Sequence, residues 1–204
     1  DPADGNMLGF AAGPSIDVAG IYAAAQAANS TVLNSYPTSP SSKNIANIYS
    51  DWQNLTGVST FYFIADMDTD CDGPSGNTDG QKLTSFGTLD AKQVPYFVLP
   101  LKFTKDNKSI LKDNVLGAII CSGKMFYGIY GDQEIHKVIG EASILMGQSC
   151  FPQMRIDGAN SHAAVDIACE HFTISPGTTT DHSIDIPALK NLGDAQVKLL
   201  QTTL

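Results

Sequence analysis

Two apolar segments separated by three residues, 115–121 and 125–130, constrain this chain more than any other part of it. The first reads Val-Leu-Gly-Ala-Ile-Ile-Cys and the second Met-Phe-Tyr-Gly-Ile-Tyr, with Ser122-Gly123-Lys124 between them. Short runs rich in β-branched and aromatic residues, joined through a glycine, predict a β-hairpin. Its second strand leads straight into Gly131-Asp132. Residues 133–139 are then predicted to hold a short loop and a further short strand, and Gly140-Glu141-Ala142-Ser143 a passage into a helix. Asp132 and Glu141 would stand at the mouths of adjacent elements, facing one space. Two carboxyls so placed suit glycoside hydrolysis: one, protonated, serves the leaving oxygen, and the other, ionised, activates water or attacks the sugar. On spacing alone the plainer reading is a turn Asp after Gly and a surface Glu.

The chain has 204 residues and no proline- or serine-rich linker, so one domain spanning 1–204 is expected. Apolar residues make up 43% and charged residues 16%, yet no apolar run approaches the roughly 20 residues that span a bilayer. A soluble protein follows. The formal charge of −9 and a pI near 4.6 argue against nucleic acid and anionic membranes as partners and favour a cationic one. A sequence starting at Asp1 is expected to have lost a leader, and the sequons at Asn29, Asn54 and Asn107 fit a secreted, extracellular protein. Cys71, Cys121, Cys150 and Cys169 are read as one or two disulfides, with three full pairings open.

Along the chain, alanine-rich residues 16–28 predict a helix opened by Pro14-Ser15, with Val18, Ile21, Tyr22 and Ala25 on its core face. Residues 34–42 are expected to form a loop, and 43–53 a second short helix, because Ile45, Ile48, Tyr49 and Trp52 recur at spacings of three and four. Trp52, the only tryptophan, is assigned to the core. Residues 58–64 and 94–100 read as strands, the latter bounded by prolines, one of which limits it to an edge or end position. A polar turn at 105–108, a short helix at 142–148, a last strand at 164–174 and a closing helix at 186–200 complete the prediction.

The strand at 58–64 runs into Ala65-Asp66-Met67-Asp68-Thr69-Asp70-Cys71-Asp72-Gly73. In extended geometry the four aspartates share one side, and their mutual repulsion calls for a cation. Calcium is one candidate, since Asp68, Asp70, Asp72, Gly73 and Asp79 occupy EF-hand-like positions. Against it stand the absence of paired helical flanks, an Asp at the last ligand position, and Pro74 and Ser75 inside the loop. The other two readings are recognition of substrate ammonium groups and a solvated acidic loop.

Taken together, the acidic run with its strand, Val94-Pro95-Tyr96-Phe97-Val98-Leu99-Pro100, Tyr127-Gly128-Ile129-Tyr130-Gly131-Asp132 and Gly140-Glu141-Ala142-Ser143 resemble fungal chitosanases of glycoside hydrolase family 75. The resemblance extends from about residue 14 to residue 174. It implies endo-hydrolysis of β-1,4-linked glucosamine chains with inversion, without cofactor or metal, by a monomer whose partner is chitosan. The family's catalytic Asp and Glu carry over onto Asp132 and Glu141. Similarity to double-psi β-barrel hydrolases implies an α+β protein, mainly β, around a six-stranded double-psi-like barrel with an N-terminal helix and peripheral helices. It also makes Glu141 the general acid and Asp132 the general base. Asp66 and Asp68 are expected to hold substrate amines, with Asp70 and Asp72 as turn and solvent residues. Tyr96 and Tyr130 are further substrate-binding candidates. Glu134 and His136 stand where smaller residues are expected, which makes Glu134 a rival acid. The competing functions are a non-catalytic, expansin-like carbohydrate-binding barrel and a calcium-binding module.

Overall fold

The computed structural model describes residues 9–55, 57–70, 80, 81, 84–109, 111, 115–154, 156 and 184–204, and the backbone of 162–173. Its strands are β1 (Val32–Pro37), β2 (Ile45–Tyr49), β3 (Tyr62–Asp70), β4 (Tyr96–Pro100), β5 (Val115–Cys121), β6 (Lys124–Glu134), β7 (Glu141–Ser143) and β8 (His162–Thr173). The helices among the described residues are α1 (Val18–Ala27), α2 (Leu101–Asp106), α3 (Ile144–Cys150) and α4 (Ile186–Thr203). The protein is thus α+β and mainly β.

The strand order is β1-β2-β3-β7-β4-β6-β5-β8, and β3 pairs with β8 as well. The ladder β3-β7-β4-β6-β5-β8 therefore returns on itself as a curled, mixed sheet, while β2 joins the start of β3 through Ile48 and Phe63. Curling in this way spares these strands an exposed edge. β5 is buried along its whole length, as its unbroken apolar sequence requires.

The β5–β6 hairpin forms as predicted. Cys121 pairs with Lys124, so Ser122 and Gly123 make a two-residue turn, and both have positive φ, 49° and 72°. That is the turn whose twist matches paired strands, and glycine accommodates it without steric cost. Cys121 is bonded to Cys150, tying the end of β5 to the end of α3. Cys71 and the side chain of Cys169 lie outside the described residues.

Residues 43–53 do not form the expected helix. Residues 45–49 are strand β2, paired on one side with β1 and on the other with β3. Ala46 and Ile48 are buried while Ile45 is 56% exposed, an alternation of period two that the three-and-four spacing concealed. Backbone pairing with two neighbours, supported by β-branched and aromatic side chains, outweighs a weak helical pattern. Likewise the loop predicted from residue 34 begins later, because β1 continues to Pro37, where an outer strand tolerates proline. Residues 101–106 form α2, a helix that was not expected, and Asn107 follows it. Trp52 is in the core as expected, its ring 4.4 Å from that of Tyr62.

The helices lie against this sheet by conventional means. Asp17 caps α1, accepting a hydrogen bond from the Gly20 N–H at 2.9 Å, so the helix starts slightly later than Pro14-Ser15 suggested. α4 is capped by Asp185 and buries Leu189, Gly193, Val197 and Leu200 on one face. The ring of Tyr127 on β6 lies directly over Gly193, where an added Cβ would meet ring atoms at 2.4 to 2.5 Å. The Tyr127 hydroxyl donates to Asp194 Oδ1 at 2.9 Å, as does the Gly13 N–H at 2.8 Å. Lys190 Nζ reaches Asp194 Oδ2 at 2.8 Å and the Ala11 carbonyl at 2.8 Å. Burial opposes ionisation of Asp194, but hydrogen bonds from Lys190, Gly13 and Tyr127 outweigh it and hold its pKa below the usual range.

Gly193→Ala should therefore destabilise the protein far more than alanine's helix propensity would stabilise it. The expected cost is about 1–3 kcal/mol, as for other overpacked sites. Urea unfolding checks it, with the midpoint falling in the variant.

Candidate active site

Asp132 owes its position to a bulge. In the parallel pairing of β4 with β6, Phe97 partners Tyr130 and Val98 partners Asp132, so Gly131 is the extra residue. In a regular strand, positions 130 and 132 face the same way. The bulge reverses this: Tyr130 keeps the face of Phe97 and Asp132 takes the face of Tyr96 and Val98. Only glycine fits there, since a Cβ at residue 131 would lie 2.6 Å from Tyr96 Cβ. Asp132 is 5% exposed, and its Oδ1 accepts the Gln133 N–H at 2.6 Å. Gly80 closes over it, and a Cβ there would fall 2.0 Å from Oδ1.

Each residue of Gly140-Glu141-Ala142-Ser143 has a separate physical task. Gly140 has φ 113°, and an added Cβ would meet the Asp66 carbonyl oxygen at 2.1 Å. No side chain is tolerated there. Its own carbonyl accepts the Asp68 N–H at 3.0 Å, which starts the parallel pairing of β7 with β3. Ala142 is buried opposite Phe97, where a small side chain leaves room for the ring. The Ser143 hydroxyl accepts the Met146 N–H at 3.3 Å as the cap of α3, and the Tyr96 N–H at 3.1 Å. Glu141 is the ionisable side chain of the four.

Strand register shows which carboxyls share its surroundings. Phe97 pairs with Ala142, so Glu141 and Ser143 point to the opposite face from Phe97, the face that Asp132 occupies. Glu134, paired with Pro100, is on that face too. From β3, Asp68 pairs with Glu141 and Asp70 with Ser143; Asp66 precedes them in the same strand, where the pairing of β3 with β8 shifts register between Ala65 and Met67. The structure therefore brings Asp132, Glu134, Glu141, Asp68 and Asp70 to one face of the curled sheet. Asp70, expected in a turn, is instead part of β3. Asp72 and most of the candidate calcium loop 68–79 lie outside the described residues.

The two tyrosines are placed differently. Tyr96 is 0% exposed, with its hydroxyl 3.5 Å from the Gln81 side-chain amide. Tyr130 is 7% exposed and faces away from the carboxyls, its ring 6.2 Å from that of Phe97. Both rings are covered by the protein's own atoms.

Glu141 is the electrostatic outlier of this face. Burial, next the charge of Glu134 and a side-chain hydrogen bond with it, and then the charges of Asp70 and Asp68 push its pKa from an ordinary 4.5 up to about 9. It is a carboxylic acid at neutral pH. Ile139 and Ile144, on either side in sequence, are both buried and contribute to its dry surroundings. A neutral carboxylic acid sharing a face with a second carboxyl is equipped to donate a proton on one side of a bond while the other handles water.

A family model described as fungal chitosanase of glycosyl hydrolase group 75 matches residues 67–191. The chain belongs to this family. It is 40% identical over 208 residues to endo-chitosanase C of Aspergillus oryzae, an alignment covering 96% of this chain and 54% of that protein. An endo-chitosanase of the same species is 31% identical over 170 residues, 65% of this chain and 67% of the relative. For an endo-chitosanase of Aspergillus fumigatus the figures are 32% over 146 residues, 60% and 61%. The chain spans about half the length of the first of these relatives. The segment matched by the group 75 model begins within β3 and takes in Asp68, Asp70, Asp132, Glu134 and Glu141, whereas β1 and β2 precede it.

A carboxyl whose pKa rises on folding takes up a proton as the chain folds. Its contribution to stability is complete below about 4.5 and is lost as pH rises towards about 9. Glu141→Gln keeps the shape and removes the ionisation. The variant should melt above the wild type at pH 8, by about 2–4 °C for each kcal/mol recovered, and the gap should shrink towards pH 4. Melting curves across that range that stay parallel would refute the raised pKa.

Proposed function

We propose that this chain is an endo-acting glycoside hydrolase that cuts chitosan between β-1,4-linked glucosamine units with inversion at the anomeric carbon. The observation that carries the reading is Glu141, held protonated on the same sheet face as Asp132, in a chain of the group 75 family. Glu141 gives its proton to the glycosidic oxygen as the C–O bond breaks. Asp132, ionised, takes a proton from the water that attacks the opposite side of the sugar. Inverting enzymes separate the two carboxyls by roughly 6.5–9.5 Å to admit that water. Asp66 and Asp68 on β3 hold substrate ammonium groups, and the chain's charge of −9 draws a polycation to the surface. Tyr96 and Tyr130, the other substrate-binding candidates, are buried, so the proposed contacts to substrate rest on the aspartates.

The chemistry calls for no cofactor and no metal, and the reading extends to a secreted monomer with one catalytic domain over residues 1–204. No described helix is long and apolar enough to cross a membrane. The double-psi relationship is proposed on the two parallel pairings, β3 with β7 and β4 with β6, which place Glu141 and Asp132 on the two strands that flank β4. A purely carbohydrate-binding barrel is disfavoured, because the one tryptophan is 3% exposed and offers no platform for a sugar ring.

Reducing-end release from soluble chitosan, with cellulose as a neutral control, tests the proposal. Wild type should act on chitosan alone. Glu141→Gln and Asp132→Asn should each lose on the order of 10²–10⁴-fold or more in kcat, the range for removal of a general acid or base. Asp66→Asn should act mainly through KM. A Glu141→Gln variant retaining a tenth or so of the wild-type rate would exclude Glu141 as the acid on that scale. The anomer first seen by NMR during hydrolysis decides between inversion and retention.

A further inference from the structure

Glu134 stands where the family resemblance leads one to expect a smaller residue, and the structure puts it in contact with the proposed acid. We infer that Glu134 is a positioning residue: its carboxyl group shares one proton with Glu141, and the charge it retains keeps Glu141 in its acid form until substrate arrives. The inference rests on the reading of Glu141 given above and adds a second carboxyl to it.

Four observations carry it. First, the bulge at Gly131 that turns Asp132 towards Glu141 turns Glu134 the same way, since the two are alternate residues of β6. Second, the carboxyl groups of Glu134 and Glu141, on one face of the sheet, come within hydrogen-bonding reach of each other, and two carboxyl groups bond across such a gap only when a proton lies between them. Third, Glu134 is held from behind. The His136 N–H donates to its Oε1, within a tight turn at 135–137 where Lys137 adopts φ 63°. Fourth, among the described side chains the further ionisable groups on the shared face are acidic. Asp68 and Asp70 approach from β3 and Asp132 from β6, while His136 and Lys137 of the turn are exposed. Ionising both glutamates in such company is costly, as in other carboxyl pairs that hold a single proton.

The proton balance is simple. At rest the pair carries one proton and one negative charge. When Glu141 protonates the glycosidic oxygen, the pair is left with two charges, and the proton that Asp132 draws from the attacking water remains on Asp132. Bulk water then returns a proton to Glu141 and removes one from Asp132, restoring the starting state.

The test compares the pH dependence of kcat on chitosan for wild type, Glu134→Gln and Glu134→Asp, alongside melting temperature against pH for all three without substrate. Glu134→Gln removes the charge and turns the shared bond into an amide donor to a carboxylate. Its alkaline limb should move towards acid pH by about one unit or more, the shift expected for loss of a close like charge. Glu134→Asp, which keeps the charge, should restore much of it. In the melting profiles, the loss of stability with rising pH should level off at a lower pH in Glu134→Gln. A limb and a melting profile unmoved by Glu134→Gln would overturn the inference. So would a loss of turnover at every pH as complete as that of Glu141→Gln, which would make Glu134 the reacting acid. A folded wild type inert on chitosan would instead sink the proposed function, and the melting profiles would still decide whether the proton is shared.

Discussion

The site depends on a three-residue strand. β7 pairs in parallel with β3 and in antiparallel with β4, and a strand so short has little stability of its own. What fixes it is close backbone approach: Gly140 packs against the Asp66 carbonyl with no space for a Cβ, and its carbonyl takes the Asp68 N–H. Ser143 then caps α3 and receives an N–H from β4 with the same oxygen. Shifting β7 by one residue would send Glu141 to the face of Phe97 and Ala142. The alignment of Glu141 with Asp68, and through β4 with Asp132, follows from these few contacts.

Once that register is set, electrostatics on the face is a matter of crowding. Acidic side chains from β3, β6 and β7 converge, and desolvation adds to their repulsion. A protein can relieve such strain by exposing the groups, by pairing them with cations or by keeping a proton. At Glu141 burial and the nearby carboxyls of Glu134, Asp70 and Asp68 favour the last route. Asp132, on β6 across β4 from Glu141, is buried as well, with a backbone N–H donated to its Oδ1.

Much of this was legible before any coordinates. The β5–β6 hairpin, the strand leading to Asp132, the short helix after Ser143 and the closing helix all follow from patterns within a few residues of each other. β2 was not legible. Its Ile45, Ile48, Tyr49 and Trp52 satisfy a helical spacing as well as a strand's alternation, and only pairing with β1 and β3 decides between them. The bulge at Gly131 was hidden for a related reason, because a single glycine signals a tight exit as readily as an extra residue in a ladder. Asp70 was assigned to a turn, although its alternation with Asp66 and Asp68 was the signal that β3 runs on to it. The convergence of Glu134 on Glu141 required the register of strands far apart in sequence.

A proton-retaining glutamate among aspartates also explains how one surface could serve a cationic polysaccharide and still supply an acid. Ammonium groups bound by Asp66 and Asp68 would offset the acidic charge nearby and make Glu141 easier to ionise, so substrate binding itself would lower the pKa of the acid. In the free protein, burial and Glu134 push the other way and hold the proton. The acid would then be strongest when the bond to be broken is in place and weakest when the site is empty. For a site assembled from like charges, that coupling turns electrostatic repulsion, a cost to folding, into control over when the proton leaves.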